Sequence, residues 1–239
     1  MIRYLPLLVL FACEPGPNEE TLVDSLQIVA AVAEPPEVAP AEPYEVAVTV
    51  VDPEATDFEV LVWSCLEDDC AAAPAVVDGS EAVTTVASVT PAPQWILACE
   101  PGLCDLENPR PQDLKDPFGW LAGLPIEGVS LVSRLPRLTE TTGERHANPV
   151  IESEPDVGSL VDVRGEKAVK LHFVVPGAET AWTYTTRGGF RRPSEDVSSE
   201  GEVTVEWYAP NKAGESELFV VFVDDLGGSV VWQGTATVR

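Results

Sequence analysis

Valine at every second position, repeatedly cut short by proline, constrains this chain most. In "EPYEVAVTVVDPE", Val46, Val48 and Val50 share one face, and Glu45, Ala47 and Thr49 the other. Period-2 alternation marks a half-buried β-strand. The same pattern returns with Val169, Leu171, Phe173 and Val175, and with Val203, Val205 and Trp207 against Thr204, Glu206 and Tyr208. Twenty-two prolines and a single Met leave little room for long helices. An all-β fold follows. Its length of 239 residues suits two modules, and the 45% apolar fraction is enough for packed cores.

Strands are expected over 26–33, 82–89, 94–98 and 128–135, with two more within 42–65, and again through the second half. Val60, Leu61, Val62 and Trp63 are almost continuously apolar, as in a strand covered on both faces. "DLENPRPQDLKDPFGWLAGLP" is a long Pro-rich excursion, with one helical turn expected near Asp113–Asp116. "TETTGERHANP" (139–149) is polar and reads as a linker. "VDDLGG", with Asp224, Asp225 and two glycines, supplies the turn of a hairpin. Trp63, Trp182, Trp207 and Trp232 fall at strand positions and read as core.

The pentapeptide "ACEPG" occurs twice, at 12–16 and 98–102. The first copy ends "MIRYLPLLVLFAC", where Arg3 precedes an apolar run of nine residues. That run is too short to span a bilayer and matches the core of a secretory signal. Leu10-Phe11-Ala12-Cys13 resembles a bacterial lipobox, so residues 1–12 read as a signal peptide. Cys13 reads as the lipidated N-terminus of the mature chain, carried on a flexible tether to residue 23. Phe11 stands where that motif usually has a small or aliphatic residue.

Cys65, Cys70, Cys99 and Cys104 remain, as two C-x4-C pairs. An even number of cysteines in an exported chain predicts disulfides, with three connectivities possible. The x4 spacing and the export signal argue against structural zinc.

The net charge of −26 repels nucleic acid and keeps an exported protein soluble. Catalytic signatures are missing: there is no G-x-S-x-G, no H-E-x-x-H and no Gly-rich phosphate loop. His146 lies in the linker and His172 on the polar face of a strand, so no enzymatic activity is expected. Arg187, Arg191 and Arg192 form a basic cluster around "GGF" that could receive an anionic glycan or a carboxylate, against the alternative of a solvated loop.

The second half resembles bacterial immunoglobulin-like domains, through "GGF", "WYAPNKAGESELFVVFVDD" and "GGSVVW". The first half resembles them more weakly, through "PPEVAPAEPYEVAVTVVDPE" followed by "VWSC". Together with the lipobox, the chain is similar to proteobacterial envelope lipoproteins with tandem modules of this kind. The resemblance implies a β-sandwich at 24–138, braced by disulfides, and a second at 150–239. It implies lipid anchoring in the cell envelope, in the outer membrane, with a structural, adhesive or accessory role toward an envelope protein. Such modules can also hold calcium in acidic turns. The candidates are Asp52, Glu54 and Asp57; Glu67, Asp68 and Asp69; and Asp224 with Asp225. Calcium takes six to eight oxygens, so an Asp pair alone does not suffice.

Overall fold

The computed structural model describes residues 18–39, 42–54, 57–66, 69–86, 93–106, 109, 111–122, 124, 128–134, 137–138, 145–163 and 168–239. Its strands form two β-sandwiches in tandem. The first pairs the sheet β1-β3-β7-β6 with the sheet β5-β4-β8-β9. Its strands are β1 (Gln27–Glu34), β3 (Tyr44–Val51), β4 (Glu59–Leu66), β5 (Asp69–Pro74), β6 (Val76–Asp78), β7 (Glu81–Val86), β8 (Gln94–Cys99) and β9 (Val129–Arg134). The short β2 (Glu37–Val38) pairs in parallel with β10 (Arg137–Leu138). The chain crosses between the sheets after β3, β5 and β7, and the two orders match the ABED and C′CFG sheets of an immunoglobulin-like sandwich.

The second sandwich follows a similar plan, with one three-stranded sheet that lacks a counterpart of β1. One sheet is β11-β15-β13, from β11 (Val169–Val174), β13 (Gly189–Phe190) and β15 (Glu202–Tyr208). The other is β14-β12-β16-β17, from β12 (Thr180–Thr185), β14 (Ser194–Asp196), β16 (Gly214–Val223) and β17 (Ser229–Val238). Alternation sets both cores. Val46, Val48, Val60, Val62 and Ile96 fill the first, and Leu171, Phe173, Val205, Trp207, Val220 and Phe222 the second. Phe173 packs edge-on against Phe222 and Trp232 at centroid distances of 5.2 and 5.1 Å.

The continuous apolar run of β4 has a local cause. Val60 and Val62 face the sandwich interior, while Leu61 and Trp63 face outward with Leu97 and Cys99 of β8. The Pro-rich excursion folds back over that outer face. Among the described residues it carries two short α-helices rather than one turn, α1 (Pro111–Lys115) and α2 (Pro117–Leu121), the second capped by the Asp116 side chain accepting from the Gly119 N–H. Trp63 donates its indole N–H to the Leu114 carbonyl at 2.9 Å and lies 6.1 Å from the Trp120 ring. Both disulfides lie on this face. Cys65 is bonded to Cys70 across the β4–β5 hairpin, and Cys99 to Cys104 where β8 enters the excursion. The connectivity is therefore the local one.

Candidate interdomain groove

The sandwiches meet along the outer face of the second one's larger sheet. Thr180, Trp182 and Tyr184 of β12 point outward there, in register with Val223, Val221 and Phe219 of β16. Phe219 is buried against Val23, Val29 and Val51 from the first half. The segment 18–23, expected as tether, runs along this seam. The Asn18 N–H donates to the Phe190 carbonyl, the Val23 N–H to the Thr185 carbonyl, and the Phe190 N–H to Thr21 Oγ1.

The expected linker closes the other end. The His146 N–H donates to Glu37 of the first sandwich, and its ring Nε2 lies 2.6 Å from Oδ2 of Asp224 in the second. Asn148 donates to the Ala33 carbonyl and the Glu34 carboxylate, and accepts from the Ser229 N–H. A solvated linker histidine is thus corrected to a partly buried junction group. The Asp224 side chain is only 2% exposed, and its Oδ1 also accepts from the Leu226 and Gly228 N–H groups. Gly228 leaves space for that carboxylate, since a Cβ there would meet Oδ2 at 2.4 Å.

Between these contacts lies a groove of about 450 Å³, within the range of ligand pockets. Val29, Ala31, Arg134, Trp182, Tyr184 and Val221 are among its walls. Trp182 is 43% exposed, which corrects its reading as core. It sits on the second strand of its sandwich in the same outward sense as Trp63, but no excursion covers it. Arg134 closes β9 on the face shared with Ser130 and Val132, opposite Gln94. Burial holds its guanidinium below the usual arginine range, with the nearby Tyr44 phenol opposing. Its Nη1 and Gln94 Oε1 are buried without hydrogen-bond partners. Burial raises the Tyr184 phenol above its ordinary value.

The basic loop is used internally. Arg187 donates to the Lys212, Ala213 and Glu215 carbonyls. Arg191 pairs with Glu206 at 2.8 Å, and Arg192 with Glu195 at 3.1 Å. His172 is exposed, with Nδ1 3.2 Å from Thr204 Oγ1. Among the acidic turns, Asp52 accepts from the Glu54 N–H, and Asp57 and Asp225 are exposed. Glu67 and Asp68, like Cys13, lie outside the described residues. Among the described residues, no three His, Cys, Asp or Glu side chains converge as a metal site, and no helix is long and apolar enough to cross a membrane.

No protein family matches the sequence, and no curated protein matches it. Among solved structures, the chain is similar to the D0-D1 domain of intimin, with 12% identity, 87% of this chain and 98% of that one covered, and a TM-score of 0.26. A titin fragment, I67-I69, gives 10% identity, 90% and 66% coverage and a TM-score of 0.28. Latent PorU from Porphyromonas gingivalis gives 9% identity, 90% and 24% coverage and a TM-score of 0.27. With so little superposition, the immunoglobulin-like assignment stands on the strand orders above, and the chain is a tandem β-sandwich.

Proposed function

We propose that this chain is a non-enzymatic envelope lipoprotein. Cys13 carries its lipid, and its two sandwiches act as an adhesive or accessory module toward another envelope component at the outer membrane. The observation that carries the interaction role is the jointed seam: Phe219, Asn148, His146 and segment 18–23 tie two sandwiches together around an aromatic groove. A scaffold held this way presents loops and grooves in fixed relation, as binding surfaces require. Membrane attachment is supported by Arg3, the nine-residue apolar run and Leu10-Phe11-Ala12-Cys13. At about 0.8 kcal/mol per buried CH₂, two or more acyl chains give stable anchoring. Two disulfides accord with an oxidising compartment outside the cytoplasm. Fractionation of cells expressing the wild type and Cys13→Ser tests the anchoring. The wild type sediments with membranes and the variant is soluble; membrane retention of the variant contradicts the proposal.

A further inference from the structure

The two sandwiches treat the same surface differently. In the first, the outer face of the β4–β8 pair is sealed by the chain itself, with Trp63 under Leu114 and Trp120. In the second, Phe219 is covered by the first sandwich, but Trp182 is not. The gap beside Trp182 is the groove, and one of its walls is the cation Arg134. That cation is unusual here. In a chain of net charge −26, the loop arginines are committed to Glu206, Glu195 and backbone carbonyls, whereas no carboxylate pairs with Arg134 among the described residues. A buried cation is costly unless paired and hydrogen-bonded.

We propose that the groove between the sandwiches receives the C-terminal carboxylate of a partner polypeptide. Arg134 holds the carboxylate, and an apolar or aromatic terminal side chain lies against Trp182 and Val221. The pairing is charge-assisted, with guanidinium N–H groups donating to carboxylate oxygens. The walls favour a peptide over an acidic sugar. Among the described lining side chains, only Arg134, the Trp182 indole N–H, Tyr184 and Ser229 offer hydrogen-bonding groups, too few to satisfy a ring of hydroxyls. Val29, Ala30, Ala31, Val221 and Val223 suit an apolar side chain instead.

This deepens the interaction role proposed above, and its failure is separable, because membrane fractionation is blind to the groove. The test is calorimetry on the full chain in detergent, with an acetylated Ala-Val-Phe peptide as free acid and as carboxamide. The free acid binds about tenfold or more tighter than the amide, the worth of one charge-assisted contact. Arg134→Met abolishes that difference and Arg134→Lys keeps part of it. Trp182→Ala weakens both forms and, being exposed, leaves the fold intact. If Arg134→Met fails to melt cooperatively, the acid–amide comparison on the unaltered protein decides. Equal binding of acid and amide, or binding of neither, overturns the proposal. Tighter binding of trigalacturonate than of the peptide at Trp182 also overturns it, in favour of an acidic glycan.

Discussion

Replacing Trp63 by Phe tests whether the Pro-rich excursion is a built layer of the first sandwich. Trp63 is 1% exposed, and its indole N–H is 2.9 Å from the Leu114 carbonyl in α1. Phenylalanine keeps an aromatic ring but removes that donor, leaving a buried acceptor unpaired, which costs about 1–3 kcal/mol. It also opens space beside Trp120, so the total approaches the lower end of the about 3–5 kcal/mol typical of Trp→Ala. At roughly 2–4 °C per kcal/mol, the melting temperature falls by about 5–10 °C. A local readout complements the melt. Lys115 closes α1, so trypsin cleaves there faster once the excursion lifts. Melting within about 1 °C of the wild type, with unchanged cleavage at Lys115, refutes the sealed layer.

Three further outcomes are expected. Cys99→Ser opens the Cys99–Cys104 bridge, whose separation of five residues corresponds to about 2 kcal/mol of chain entropy; chemical denaturation shows the loss while the protein stays membrane-bound. Asp224→Ala removes the acceptor of the Leu226 and Gly228 N–H groups and of His146, costs about 1–3 kcal/mol, and raises hydrogen exchange at Gly228 and across 145–148. Glu206 is held below the ordinary carboxylate range, first by its hydrogen bond from Arg191, then by the charges of Arg191 and Lys170, with burial opposing. Its pair therefore stabilises the fold fully above the unfolded-state value and loses that contribution as pH falls through the folded-state one. Acid titration of Arg191→Gln shows a smaller loss of stability over that window than the wild type.

Much of the architecture was legible because alternation is a local signal. Val46, Val48 and Val50 announced the core face of β3, and Val60 to Trp63 announced a strand covered on both sides. What covers the second side was not legible. Trp63 and Trp182 look alike in sequence, yet only the excursion distinguishes a sealed tryptophan from an open one. His146 read as linker because its partner Asp224 lies 78 residues away and only the docking of two sandwiches joins them. The sequence leaves the arginine cluster between a binding loop and a solvated one, because the β13–β15 pairing that brings Glu206 to Arg191 spans a turn and a strand. Arg134 left one faint trace: it continues the inward series of Ser130 and Val132, where an arginine is out of place.

The central claim joins an anchored Cys13 to a disulfide-braced sandwich, and one intact-mass measurement on the membrane-extracted protein tests both. The account predicts a chain that begins at Cys13 and carries diacylglycerol plus an amide-linked acyl group. Its mass falls by one hydrogen for each of the four bridged sulfurs. An unlipidated chain, or one starting at Met1 or at another residue, contradicts the anchor. Four free thiols contradict the braced sandwich.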